Sequence, residues 1–143
     1  MIEEIEKRIT KLRSLSNDLN VIINDVLRAN ASFVIQLNVE QQQSGVNAKN
    51  KKIGTYAEST KKARKRKGLQ TSFVDLEVTK NYHKSFAITY GKNFIELTAP
   101  DVLYTIFLDN HYPDLFGLTD TNMEKLRGKI RPAIEAELQK RLS

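Results

Sequence analysis

Residues 2–33 carry the pattern that most restricts how this chain folds. Positions 2, 5, 9, 12, 16, 19, 23, 26, 30 and 33 follow alternating steps of three and four, and eight of the ten are apolar. They read Ile2, Ile5, Ile9, Leu12, Ser16, Leu19, Ile23, Val26, Asn30 and Phe33. This heptad spacing holds one apolar seam on one face of a helix. Glu3, Glu4 and Glu6 stand in its first turn, where they complement the positive end of the helix dipole. The spacing predicts a long N-terminal helix over 1–37. Ile5, Ile9, Leu12, Leu19, Ile23 and Val26 are its packing residues, within the subunit or against a second subunit. Ser14-Leu15-Ser16-Asn17-Asp18 is the weak point, because Ser and Asp cap helices and would divide the element in two.

Periodicity then stops. Residues 38–54 are dominated by amides, Ser and Gly, and few of those side chains offset the cost of ordering backbone. The composition predicts a long loop. Thr55–Lys67 regains helical character, with Tyr56, Thr60 and Ala63 on one side and Gly68 placed as a C′ residue. Residues 38–69 thus read as a loop followed by a short helix.

From Gln70 the period changes to two. Val74, Leu76 and Val78 alternate with Asp75, Glu77 and Thr79, and Phe86, Ile88 and Tyr90 alternate with Ala87 and Thr89. Gly91-Lys92-Asn93 supplies a turn before Phe94–Thr98, which predicts a β-hairpin. Thr98 and Pro100 open a helix with Val102, Leu103, Ile106 and Phe107 on its apolar face. His111–Leu118 is a loop whose large apolar residues predict that it packs down. Thr121-x-x-Glu124 matches a capping box before a last helix, with Leu126, Ile130, Ile134 and Leu138 inward and Pro132 as a kink or break. The expected architecture is one α+β domain over 1–143. A long helix and a basic middle segment precede a small antiparallel sheet and two C-terminal helices over 70–143.

Charge separates one stretch from the rest. Nine Lys and Arg lie between positions 49 and 67 against the single acid Glu58, so this stretch holds +8 of a net charge of +6 and the remainder sums to −2. The cations are Lys49, Lys51, Lys52, Lys61, Lys62, Arg64, Lys65, Arg66 and Lys67. A solvated helix face ordinarily interleaves acids, which relieve repulsion through i,i+4 pairs. Lys61–Lys67 does not. Such a cluster suits phosphate or an acidic protein surface, and phosphate contact here would be independent of sequence because no reading helix or stacking platform accompanies it. Both partner classes stay open at this level.

Little else invites chemistry. There is no Cys, which excludes disulfides and thiolate zinc sites. His83 and His111 lack a second ligand at metal-binding spacing, and no Walker A, G-x-S-x-G or dinucleotide fingerprint occurs. Asp75 and Glu77 read as solvent-facing charges of a strand. The N-terminus has neither a basic n-region nor an apolar core of a secretory signal, and no stretch has the ~20 apolar residues of a spanning helix. A soluble binding or assembly protein without catalytic residues, cofactor or metal is the expectation.

The order of features carries a resemblance. Leu37-Asn38-Val39-Glu40-Gln41-Gln42, Gly45-Val46-Asn47, Ile53-Gly54-Thr55-Tyr56 and Thr60-Lys61-Lys62-Ala63-Arg64 lead to Val74–Thr79 and Tyr82-His83-Lys84-Ser85-Phe86. This resembles small virion-structure proteins of tailed bacteriophages, of the head–tail connector, neck and tail-completion class, across about residues 35–90 and the helical C-terminus. It departs at Thr79-Lys80, where the resemblance leads to a Thr-Gly turn. The resemblance implies a homo-oligomeric ring around a DNA channel. It implies portal, connector or tail proteins as neighbours, and a location in the virion after assembly in the host cytoplasm. It brings no catalytic residues. The alternative is a free, non-specific nucleic-acid-binding protein that uses Lys49–Lys67.

Overall fold

The computed structural model describes residues 1–77, 81–91, 94–99, 111–112 and 114–142. Among them, five helices and a two-stranded antiparallel sheet give the expected α+β architecture. Helix α1 spans Ile2–Ala29, α2 Ala31–Gln43, α3 Glu58–Arg66, α4 Asn81–Lys84 and α5 Asp120–Leu142. Strands β1 (Ala87–Tyr90) and β2 (Ile95–Thr98) form the hairpin. Its register pairs Ala87 with Thr98, Ile88 with Leu97, Thr89 with Glu96 and Tyr90 with Ile95. The helix expected around Val102–Phe107, the Lys92-Asn93 turn and Thr79-Lys80 lie outside the described residues.

Helix α1 runs unbroken through Ser14–Asp18 and ends instead at Asn30, which sits at φ −111°, ψ 20°. Its packing differs from the seam reading. Leu15 and Ile22 are buried, and they stand one position before the seam residues Ser16 and Ile23. The helix is thus turned by one residue, about 100°, toward α5. Ile23 and Val26 are half-buried, whereas Ile5, Ile9, Leu12 and Leu19 are exposed.

The loop expected over 38–54 begins as helix, since α2 runs on through residues 38–43. Helix α2 continues to Gln43 because its amides are internal partners rather than solvent groups. Asn38 and Gln42 have no exposed surface and Gln41 almost none. Asn38 Nδ2 donates to the carbonyls of Leu115 (3.3 Å) and Gly117 (2.9 Å), and Gln42 Nε2 donates to Leu115 (2.9 Å). Gln41 Nε2 donates to Gly117 at 3.0 Å, while its Oε1 accepts from Thr119 N (3.0 Å) and Asn122 Nδ2 (2.9 Å). These three side chains recur at i, i+3 and i+4 and hold the 115–119 loop down. Gly45 then ends the helix at φ +80°. Its N–H bonds the Gln42 carbonyl and the Val46 N–H bonds the Gln41 carbonyl, a Schellman closure. A Cβ there would meet Phe73 Cδ2 at 2.5 Å.

The core has two parts. Val74, Leu76, Tyr82, Phe86, Ala99 and Leu115 form one, flanked by Ile53, Tyr56, Tyr112 and Phe116. Val34, Leu37 and Leu126 form the other, where Leu97, Ile88 and Ile130 pack between the hairpin, α2 and α5. The apolar 111–118 loop does pack down, with Leu115 only 2% exposed. Helix α5 begins two residues before the expected box: Thr119 Oγ1 accepts the Asn122 N–H at 3.2 Å, because Gln41 already fixes Thr119. It also passes through Pro132 undivided. The carbonyl that the proline frees belongs to Gly128, which is exposed and open to solvent.

Candidate basic interface

The cations of 49–67 sit on two ordered supports. The first is the turn between Val46 and Lys52, which face each other in an isolated antiparallel bridge. Asn47 builds it from within. Its buried Oδ1 accepts the N–H groups of Lys49 and Lys51, each at 3.0 Å, and its own N–H bonds the Lys51 carbonyl at 2.8 Å. The Ala48 N–H bonds the Asp114 carbonyl at 2.8 Å and ties the turn to the 111–118 loop. Lys49, Lys51 and Lys52 are exposed on it, with Lys49 paired to Asp114 at 3.4 Å.

The second support is α3. Thr60 and Ala63, which the spacing put on one side with Tyr56, are exposed. The residue that points inward is Arg64, which therefore leaves the set of outward contact residues. Its Nη2 donates to Asp75 Oδ1 (2.9 Å), Nη1 to the Glu77 carbonyl (2.6 Å) and Nε to the Gln70 carbonyl (2.9 Å). The guanidinium also lies 4.3 Å from the centre of the Tyr56 ring. Lys62, Lys65, Arg66 and Lys67 are exposed and Lys61 is half-buried beside Glu58 at 3.3 Å. Gly68, at φ +72°, closes the helix as expected: its N–H bonds the Lys65 carbonyl and the Leu69 N–H bonds the Arg64 carbonyl.

Asp75 is the counterpart, and it does not sit on a strand. Leu76 adopts φ +60°, and Asp75 Oδ1 accepts the Glu77 N–H at 2.9 Å, so the chain turns where alternation predicted a strand. Asp75 is 4% exposed rather than solvent-facing. Tyr56 hydroxyl donates to Asp75 Oδ1 (3.0 Å) and accepts from Asp75 N (3.2 Å), and Gln70 Nε2 donates to Oδ2 at 2.8 Å. Burial pushes the carboxyl up, but the hydrogen bonds from Gln70, Glu77 and Tyr56 and the charge of Arg64 outweigh it and hold it below its usual range. Burial chiefly, with the carboxylate beside it, pushes the Tyr56 hydroxyl up to about 12.

Lys51, Lys52, Lys62, Lys65, Arg66 and Lys67 have no ion-pair partner among the described residues. The supporting residues Asn47, Tyr56, Gln70 and Asp75 escaped the sequence reading. No local signal marked Asp75, because an acid alternating with apolar residues reads as the solvent face of a strand. Among the described residues no group of His, Asp or Glu is arranged to hold a metal ion, and no helix is long and apolar enough to cross a membrane. No protein-family model, curated protein or solved structure matches this chain.

Proposed function

We propose that this chain is a non-enzymatic structural protein of a tailed-phage particle, acting in several copies at the head–tail connector, neck or tail-completion position. In this reading its basic segment faces the phosphates of DNA in the channel. The observation that carries the charge assignment is the outward set on α3, where Lys62, Lys65, Arg66 and Lys67 lack acidic partners among the described residues while Arg64 is consumed inside. A helix pinned by one internal cation presents the others at fixed positions, which suits repeated contact with a regular polyanion. The place in the particle rests on the resemblance of residues 35–90 described above.

Duplex DNA binding measured against salt concentration tests the charge assignment. Each phosphate neutralised contributes about −0.9 to the slope of log affinity against log salt. Changing Lys61, Lys62, Lys65, Arg66 and Lys67 to Gln, with Arg64 kept, is expected to flatten that slope and leave folding intact. An unchanged slope and affinity overturn the assignment. Particles built with the same variant are expected to lose DNA retention or assembly, and undiminished infectivity overturns the virion role. A free, non-specific nucleic-acid-binding protein is the alternative. A monomer in solution with a steep salt dependence and no response to portal or tail proteins favours it.

A further inference from the structure

Every residue from 1 to 14 is exposed. Helix α5 lies along α1 only beyond that point, where Leu15 and Ile22 are buried and Arg141, near the end of α5, bonds Asp18 at 3.2 Å. The start of α1 is therefore an arm of about 20 Å at 1.5 Å per residue. The packed remainder of α1 nucleates this arm, but the arm's own apolar face stays in water unless something covers it. Yet Ile2, Ile5, Ile9 and Leu12 on this arm are between 43% and 74% exposed. The seam continues past it to Leu19, itself 37% exposed, while α5 covers the neighbouring flank.

We propose that this seam is closed by the same seam of a second copy, running antiparallel. Charge decides both the occupant and the direction. With Ile2, Ile9 and Ser16 at heptad position a and Ile5, Leu12 and Leu19 at d, Glu6 and Arg13 both fall at e and Arg8 falls at g. In a parallel pair, g of one helix meets the following e of the other, which sets Arg8 against Arg13 twice. In an antiparallel pair, e meets e. A two-fold axis between residues 10 and 11 stacks Ile2 on Leu19, Ile5 on Ser16 and Ile9 on Leu12, each twice. It also brings Glu6 to Arg13 of the second copy, twice.

The overlap covers residues 2–19, about 27 Å of helix. This contact is isologous, so it closes on two copies and does not propagate a ring. It joins pairs of subunits, and any ring is made by other faces. The inference rests on the reading of this chain as a protein of several copies, and not on the role given to its basic segment.

Sedimentation equilibrium of the full chain tests it, with Glu6→Arg, Arg13→Glu and the double exchange compared with wild type. The wild-type chain is expected to form a dimer. Each single reversal sets like charges together at two places and weakens dimerisation by about tenfold. The double exchange restores it to near the wild-type constant. Both positions changed lie on exposed helix, so unchanged far-ultraviolet circular dichroism confirms that folding is intact. A monomeric wild type overturns the pairing. So does a double exchange as weak as the singles, or an oligomer whose mass ignores all three variants. The last result leaves the several-copy reading standing and removes only the arm. DNA affinity that falls on neutralising α3 while the dimer persists bears on the basic segment alone.

Discussion

The guanidinium of Arg64 meets Asp75 Oδ1 at 2.9 Å, and each side chain keeps only 5% of its surface in contact with solvent. One cation of the basic run is thereby converted from a surface charge into the inward peg of α3. Among the described residues, the other hydrogen bonds of the Asp75 carboxylate come from Tyr56, Gln70 and the Glu77 N–H. A buried ion pair need not stabilise a fold relative to an apolar one, but removal of one partner leaves a charge with no solvent.

Arg64→Gln is therefore expected to cost about 3–5 kcal/mol of unfolding free energy. Lys65→Gln, on the next residue, stays within about 0.5 kcal/mol of wild type. Urea denaturation of both variants measures the contrast. Equal stabilities would show that the Arg64–Asp75 pair does not anchor α3.

Stability is expected to fall on both sides of neutral pH. Burial holds His83 below its usual 6.5, against the pull of Glu77 and Asp75, and neither ring nitrogen has a hydrogen-bond partner among the described residues. The unfolded chain takes up this proton first, so the contribution is complete above 6.5 and is lost as pH drops below it. Asp75, held below its usual 3.8, adds a second loss under that value. Tyr56, raised from 10.0 to about 12, contributes fully below 10 and loses that contribution as pH climbs through 12. His83→Phe, beside the rings of Tyr82 and Phe86, is expected to flatten the limb below 6.5, and Tyr56→Phe the alkaline limb. Urea midpoints measured across pH decide each one, and limbs that persist in the variants contradict these assignments.

Gln41 and Gln43 differ by two positions and should differ sharply in effect. Gln41→Leu strips partners from the Thr119 N–H and from Asn122, and is expected to cost about 1–3 kcal/mol. Gln43 is exposed, and Gln43→Leu should be neutral within about 0.5 kcal/mol. Thermal melts of the two variants suffice, and a neutral Gln41→Leu would mean the amide bonds contribute no net stability.

Asn47→Ala changes no charge, yet it removes the acceptor that holds the Lys49 and Lys51 N–H groups. The expected cost is about 1–3 kcal/mol, together with weaker DNA binding because three cations lose their fixed support. Full affinity in a folded Asn47→Ala protein would show that the order of this turn is irrelevant to binding.

The helices α1, α3 and α5, the hairpin and the Gly68 closure were legible because each depends on local spacing and turn chemistry, whereas α4 and the end of α2 were not. What escaped depended on contacts distant in sequence. Within Lys61–Lys67 nothing local distinguishes Arg64 from its neighbours; only Asp75, eleven positions on, does so. The amides of 38–42 look like loop residues until the carbonyls of Leu115 and Gly117 are placed beside them. Alternation over Val74–Val78 matched a strand, but the Asp75 side chain captured the Glu77 N–H and turned the chain. Thr119 replaced Thr121 at the start of α5 for the same kind of reason. On α1 the spacing gave the helix correctly, whereas the face that α5 covers lies one residue away from the seam.

The bonds from Asn38, Gln41 and Gln42 span 73 to 79 residues of chain. During synthesis at 5–20 residues per second, α2 emerges roughly 4–15 seconds before the carbonyls that satisfy it. Until then its amide face has only water, so the first half of the chain cannot complete its native packing at the ribosome. Any truncation before Leu115 would release a product with this helix permanently unmatched.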